Sequence, residues 1–240
     1  MAGHSHWAGI KHKKGRQDKH RANLFSKLSR EITVAAKLGS KDPETNPRLR
    51  SAIQNAKYSN MPKDNIVRAI NKSEITINNN FQNLRYEGYG PYNVALVIET
   101  LTDNKNRSAS SIRTILNKNG GRLGENGSTV HLFTNCGVIR LEKKITEDEI
   151  FDIAANAGAR DCKNLDDYSE IITKKEDFYK VKSIIEKKVE KILSSGIEWI
   201  PNNIVSLKLE QKKKIIEILD LLDEIEDVQS IFTNCELGLN

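Results

Sequence analysis

The chain has 240 residues, of which 38% are hydrophobic, and 38 Lys/Arg against 32 Asp/Glu leave a net charge of +6. This length allows one large domain or two to three small ones, and no stretch reaches the ~18 consecutive apolar residues of a membrane span. We expect no secretory signal, because the N-terminus has no apolar core. The three cysteines form no CxxC pair, which argues against a disulfide framework and against a zinc site and favours a reducing, cytoplasmic location.

The charge is concentrated at the front of the chain. Residues 1–72 contain 16 Lys/Arg and 5 Asp/Glu, whereas residues 73–240 contain 22 and 27. A basic front end on an acidic body predicts a polyanionic partner, most simply nucleic acid. The alternative is that the charge only keeps an N-terminal arm soluble. The residues that we expect to bind nucleic acid are Trp7, Lys11, Lys13, Lys14, Arg16, Lys19, Arg21 and Lys27.

The first predicted elements form a helical domain. Residues 1–20 have almost no apolar periodicity and are predicted to be an extended arm. Apolar residues at three- and four-residue steps predict a helix from Leu24 to Leu38, a second helix that begins at Asn46-Pro47, and a short third helix around residues 66–70. Residues 71–84 have the composition of a linker, so a domain boundary is expected near residue 75.

After this linker, predicted strands alternate with predicted helices. The predicted strands are 94–101, 129–133, 137–141, 169–173, 197–200, 204–209 and 228–232. Four helices are predicted in this part. The first follows Asp103, the second begins at the capping box of Thr146 and Glu149, the third runs from Phe178 to Ile192, and the fourth covers 215–222.

The fold class that follows is α+β. We expect an N-terminal three-helix domain (1–75), then two ferredoxin-like α/β domains, one (137–200) inserted within the other (76–136 plus 201–240). An internal repeat supports the outer pairing, since Phe133-Thr-Asn-Cys recurs as Phe232-Thr-Asn-Cys, each expected at the end of a second strand.

No pattern typical of an enzyme is present. The sequence has no GxxxxGK[ST], GxSxG or HExxH motif, so we expect no catalytic residue, no cofactor and no small-molecule substrate. The Gly-rich segment 120–128 leads into a predicted strand and not into a helix N-terminus, which favours a tight connection over a phosphate loop. The four N-terminal histidines have irregular spacing, so no metal site is expected. Lys105 and Arg107 begin a predicted helix and are a candidate second basic contact.

Several blocks, in order, carry a resemblance to a known family. They are Ala2-Gly3-His4-Ser5 with Trp7, residues 17–19, 35–39, 46–50 and 86–91, Asp103-Asn104 with Asn106-Arg107, and Gly120-Gly121 with Leu123-Gly124. Together they resemble the YebC/PmpR family, whose mitochondrial members are translational activators of cytochrome c oxidase. One departure is Tyr92-Asn93, where the family usually has Gly-Gly after Gly90-Pro91.

The resemblance implies three domains and a non-enzymatic role in regulation. Bacterial members of the family are commonly described as probable DNA-binding transcriptional regulators, whereas mitochondrial and some bacterial members resemble ribosome-associated translation factors. Lys and Arg neutralise the phosphates of DNA and RNA alike, so the sequence leaves both partners open. RNA is favoured by one feature: the three predicted N-terminal helices include no recognition helix rich in Arg, Asn and Gln.

Overall fold

The structure is a computed structural model that describes residues 17–75, 81–143, 146–165 and 167–238, with the backbone alone at 17–20 and 75. It divides the chain into two compact units. The larger unit combines the described residues of 1–57, 61–134 and 201–240, and the smaller unit combines 58–60 with those of 135–200.

The larger unit begins with three helices, as the sequence predicts: α1 (Gln17–Leu38), α2 (Pro47–Tyr58) and α3 (Lys63–Ile75). Their shared core consists of apolar side chains at helical spacing, among them the fully buried Ile32 and Leu49. The three-helix prediction is therefore confirmed.

Asn46 is the residue that fixes the connection between the first two helices. Its side-chain Oδ1 accepts a hydrogen bond from the backbone N–H of Leu49 at 3.1 Å, which satisfies one unpaired donor at the start of α2. Its Nδ2 donates to the backbone oxygen of Ala35 at 2.8 Å. One buried side chain thus caps one helix and holds it against the end of the other.

The remaining elements, in chain order, are β1 (Gln82–Tyr89), β2 (Ala95–Thr102), α4 (Lys105–Lys118), β3 (Arg122–Leu123), β4 (Phe133–Glu142), α5 (Glu147–Ala157), β5 (Asp161–Asn164), β6 (Tyr168–Lys174), α6 (Phe178–Ile185), β7 (Ile192–Pro201), α7 (Leu209–Asp223) and β8 (Val228–Thr233).

Each unit contains one four-stranded sheet. In the larger unit the strand order is β3-β1-β2-β8, and α4 and α7 contribute Ile112, Leu116, Ile215 and Leu219 to a core with the strands. In the smaller unit the order is β5-β6-β4-β7, with a core to which α5 and α6 contribute. The second order is that of a ferredoxin-like βαββαβ domain. The sheet of the larger unit has the same strand arrangement with one difference. Its strand β1, which comes first in the sequence, occupies the position that the third strand has in a ferredoxin-like domain.

The α+β prediction is confirmed, but several element assignments were wrong. Strand β1 begins within residues 71–84, which were assigned to a linker, and it pairs with β2 over its whole length. The helix expected to continue to Ile192 ends at Ile185, and Ile192 instead begins β7. The first repeat segment, at Phe133, opens β4 instead of ending a strand.

Two predicted strands are also absent from the described residues. Residues 130–132 form a short 3₁₀ turn before β4. Residues 204–209 make only one isolated bridge, Val205 with Cys235, before α7 begins.

The chain leaves the larger unit and returns to it at neighbouring points. The backbone N–H of Asn202 donates to the oxygen of Leu132 at 2.9 Å, and the hydroxyl of Thr134 donates to Oδ1 of Asn202 at 2.6 Å. The start and the end of the inserted segment are therefore held together by hydrogen bonds within the larger unit.

Candidate nucleic-acid interface

Helix α1, which carries the basic arm at its N-terminal end, is fastened to the α/β part of the larger unit by one of its faces. Asn23, Lys27 and Arg30 lie on this face because they are four and three residues apart. Asn23 Nδ2 donates to the backbone oxygen of Asp223 at 2.7 Å, Lys27 Nζ lies 2.6 Å from Asp223 Oδ1, and Arg30 Nη1 lies 2.8 Å from Asp227 Oδ1. These contacts hold the middle of α1, from Asn23 to Arg30, against the α/β part of the larger unit.

The carboxylate of Asp227 is the centre of this junction. It is buried and accepts hydrogen bonds from Ser108 Oγ at 2.7 Å, Arg107 Nη2 at 2.9 Å, Arg30 Nη1 at 2.8 Å and Thr102 Oγ1 at 3.1 Å. Burial disfavours its charged form, but the hydrogen bonds from Ser108, Arg107 and Arg30 outweigh burial and hold the pKa of Asp227 below its ordinary value. The ionised Asp227 therefore links α1, β2 and α4.

Lys27, which is predicted to contact nucleic acid, lies in an ion pair within the larger unit. Its side chain is only 8% exposed and pairs with Asp223. Burial lowers the pKa of Lys27, while the charge of Asp223 and its hydrogen bond act in the opposite direction. In the structure the ammonium group of Lys27 holds α1 against Asp223, and its contact with nucleic acid stays a prediction.

The other predicted contact residues are placed only in part. Trp7, Lys11, Lys13, Lys14 and Arg16 lie outside the described residues, and Lys19 is described by its backbone alone, within α1. Arg21 is exposed, with its guanidinium carbon 5.3 Å from the ring centroid of Phe25. The prediction that these residues bind nucleic acid stays a prediction.

Some cations of the three-helix bundle formed by α1, α2 and α3 are in ion pairs, and others are exposed to solvent. Arg48 makes a two-point ion pair with Glu31 at 2.7 and 2.9 Å. Lys57, Lys63 and Arg68 are exposed. These last three cations extend the positive charge of the arm over α2 and α3.

A groove runs along this part of the larger unit. Helix α1, helix α3 and the first turn of α4 line it, with Arg68 and Lys72 from α3, Arg107 from α4, and the aromatic rings of Phe25 and Phe81. The cationic surface of the bundle therefore adjoins the start of α4.

The Gly-rich segment 120–128 is a tight connection after α4, and its end is hydrogen-bonded to a buried carboxylate. Glu87 accepts hydrogen bonds from the backbone N–H groups of Gly127, Thr129 and Val130 at 2.8–2.9 Å. Burial acts to raise the pKa of Glu87, but these three donors outweigh it and lower the pKa. Since its donors are already bonded to Glu87, this part of the segment is not an open phosphate cradle.

Sequence reasoning missed the acidic residues that organise these regions. Asp227 lies 197 residues from Arg30 and 120 from Arg107, and no local spacing signals such partners. Glu87 interrupts an otherwise strand-like segment, and a buried acid in a strand is itself a signal, because it requires several donors nearby.

Neither a membrane span nor a metal cluster is found in the part of the chain that the structure describes. No helix there is both long enough and apolar enough to cross a bilayer. No group of three or more His, Cys, Asp or Glu side chains is placed to hold a metal ion within the same residues.

Comparison with known proteins assigns the chain to a family. Residues 5–75 match the TACO1/YebC protein N-terminal domain, and residues 81–235 match the TACO1/YebC second and third domain. The chain belongs to the TACO1/YebC family.

Relatives of known sequence and structure extend this assignment over the full length. The chain is 50% identical over 241 residues to a probable transcriptional regulatory protein of Pelagibacter ubique, with all of both chains covered. It is 44% identical to one of Natranaerobius thermophilus, over 99% of this chain and 97% of the relative. The crystal structure of a conserved hypothetical protein from Aquifex aeolicus matches with a TM-score of 0.85 and 42% identity, over 97% of each chain. The names of the first two relatives support a role in regulation.

Proposed function

We propose that the protein is a non-enzymatic, nucleic-acid-binding regulator that acts on DNA as a transcriptional regulator. The observation that carries this proposal is the charge of the front end, 16 Lys/Arg against 5 Asp/Glu in residues 1–72. The anchoring of α1 through Asp223 and Asp227 supports it, because it holds the helix that follows the basic segment of the sequence beside the exposed cations of α3. The regulatory names of the relatives agree with it.

The arm and the exposed face of the bundle bind the phosphate backbone in this proposal. Such contacts release condensed counterions, so the affinity falls steeply as salt rises. The acidic remainder of the chain holds and orients this basic end. Three free cysteines, two of them buried, fit a reducing compartment such as the cytoplasm.

Ribosomal RNA is the second candidate partner, and one observation favours it. The exposed cations of α2 and α3 are Lys57, Lys63, Arg68 and Lys72, and only Arg68 and Lys72 lie one helical turn apart. They do not form the close array of base-reading side chains that a recognition helix presents to a major groove. Irregular RNA is bound instead through shape, phosphates and stacking.

The test compares binding to a mixed-sequence DNA duplex, a promoter duplex and purified ribosomes at matched salt. A transcriptional regulator prefers the promoter duplex, whereas retention on ribosomes at moderate salt without any preference among duplexes supports the RNA candidate. Binding to none of the three at low salt contradicts the whole proposal.

The arm is tested by neutralising Lys11, Lys13, Lys14 and Arg16 together, each to Gln. The slope of log affinity against log salt should fall by about 3–4 units, at roughly 0.7–0.9 per phosphate contact. An unchanged slope removes the arm from the interface.

A further inference from the structure

Helix α4 and the connection after it break the charge pattern of the acidic body. Residues 104–124 contain five cations and no acid. The rest of the chain after residue 72 contains 17 Lys/Arg against 27 Asp/Glu. The five cations are Lys105, Arg107, Arg113, Lys118 and Arg122.

The two sides of α4 differ in chemistry. Ser108, Ile112 and Leu116 are buried, and the two apolar residues join the core of the larger unit. Positions 106, 110, 113 and 117 follow each other at steps of four, three and four, so they share one face of the helix. That face is exposed and consists of Asn106, Ser110, Arg113 and Asn117.

Among the described residues, most of these cations have no ion-pair partner. Arg107 is occupied, since it pairs with Asp103 at 2.8 Å and Asp227 at 2.9 Å. In contrast, Arg113 and Lys118 are exposed and take part in none of the ion pairs found between described residues. The guanidinium of Arg122 lies 4.9 Å from the ring centroid of Tyr89, which holds the side chain in place by a cation–π contact and leaves its charge uncompensated.

The position of α4 in the larger unit connects it with the basic front end. Arg107, in its first turn, lines the same groove as Arg68 and Lys72 of α3. Asp103 and Glu226 line this groove as well, so its charge is mixed, but it places the start of α4 next to these cations of α3.

We propose that the exposed face of α4, together with Lys118 at the end of the helix and Arg122 after it, is a second binding surface for the nucleic acid that the basic front end engages. This inference rests on the proposed function. Guanidinium and ammonium groups neutralise phosphates, while amides and hydroxyls donate to phosphate and sugar oxygens and fix the register of the protein. Arg113, Lys118 and Arg122 supply the first kind of contact, and Asn106 and Asn117 the second.

The experiment removes three charges at the proposed surface and three elsewhere. The test variant is Arg113→Gln/Lys118→Gln/Arg122→Gln. The control variant replaces exposed lysines of the smaller unit by Gln, at positions 175, 180 and 187. Both variants lose the same charge, so a general loss of electrostatic attraction affects them equally. Binding to a mixed-sequence DNA duplex of about three helical turns, at ~10 base pairs per turn, and to purified ribosomes is measured over a range of salt.

On the probe that the wild-type chain binds, the test variant should lose about 2–3 units of salt slope, at roughly 0.7–0.9 per contact, and the control should keep the wild-type slope. Equal slopes for the test variant and the wild type overturn the inference. If in that case the arm variant still loses slope, the proposed function survives without α4. If the wild type binds neither probe at low salt, both proposals fail.

A second measurement uses the wild-type chain, so its result does not depend on whether the variant folds. Acylation of lysines by a water-soluble ester, followed by mass spectrometry, reports the exposure of each ammonium group. Bound nucleic acid should protect Lys118 several-fold and leave Lys180 unchanged. Equal modification of Lys118 with and without the bound probe contradicts the inference.

Discussion

Replacing Asp227 by Asn tests the junction that positions α1. The substitution keeps the size of the side chain, removes its charge and turns one acceptor into a donor. Four donors, on Arg30, Thr102, Arg107 and Ser108, then face a group that can accept from fewer of them. Removing one member of a buried ion pair costs about 3–5 kcal/mol.

The expected cost here lies at or below the lower end of that range. Arg107 is 51% exposed and keeps Asp103, and Arg30 keeps Glu226. We therefore expect a loss of about 2–3 kcal/mol in the free energy of unfolding of the larger unit. With an m-value of about 3 kcal/mol per molar urea, this loss lowers the midpoint by roughly 1 M.

The assay combines urea unfolding with hydrogen exchange measured by mass spectrometry. Faster exchange should be confined at first to α1 and the segment that precedes β8, because these two elements lose their shared contact. Glu226→Gln is the matched control: Glu226 also pairs with Arg30, but its side chain is 77% exposed, and an exposed pair contributes at most about 1 kcal/mol. Equal costs for the two substitutions, or no change in the exchange of α1, would refute the reasoning.

The pH dependence gives the same prediction a second readout. Because the pKa of Asp227 is lowered in the folded protein, its stabilising effect is fully present above the unfolded value of about 3.9 and is lost as pH falls through the folded value. Asp227→Asn should therefore reduce the loss of stability below about pH 4 relative to the wild type. An identical acid dependence in both proteins contradicts an ionised Asp227.

Three further substitutions address the loops beside β1. Glu87→Gln should lower the free energy of unfolding by about 2–3 kcal/mol, because buried donors such as the N–H of Gly127 lose a charged acceptor. It should also make stability depend less on pH in acid, since the pKa of Glu87 is lowered in the folded protein. Urea unfolding at several pH values checks both expectations. Gly121→Ala should destabilise the larger unit, because an added Cβ would lie 2.4 Å from the backbone oxygen of Tyr89; a melting temperature equal to the wild type contradicts this. Tyr92→Gly should stabilise by about 0.5–1 kcal/mol, because Tyr92 has a φ of 63°; a lower melting temperature argues against backbone strain there.

The helices could be predicted from the sequence where their apolar residues keep one period. Helix α1 is an example, with Leu24, Leu28, Ile32 and Ala36 at regular spacing, and α5 is another, with a capping box of Thr146 and Glu149 that the structure contains. Local signals of this kind lie within one or two turns of chain. They do not depend on which other element the helix contacts.

The strands were harder to predict from the sequence, because whether a segment forms a strand depends on the segments that pair with it. Strand β1 places the acid Glu87 in a buried position, which breaks the alternation of apolar residues, and donors from 127–130 are needed to make that position favourable. Residues 204–209 alternate as a strand does, but they find a pairing partner only at Val205. The run that includes Ile184, Ile185 and Ile192 fits both periods, and the structure divides it between α6 and β7.

The candidate interface was predictable as a charge distribution and not as a set of contacts. Composition identifies the basic front end, but it does not distinguish a cation that faces solvent from one that holds two elements together. Arg21 and Lys27 illustrate this, since both were predicted as contacts and only Arg21 is exposed. The difference is made by Asp223, almost two hundred positions away.

The hydrogen bonds that join Leu132 and Thr134 to Asn202 make residues 133–201, which include all of the smaller unit except 58–60, a segment that can be excised. Since its two ends already meet, a short glycine-containing bridge from 132 to 202 would close the gap without stretching the backbone. The shortened chain should still fold around the sheet of β1, β2, β3 and β8. The excised segment in turn begins and ends on adjacent strands, β4 and β7, so other compact domains with neighbouring termini could be grafted in its place.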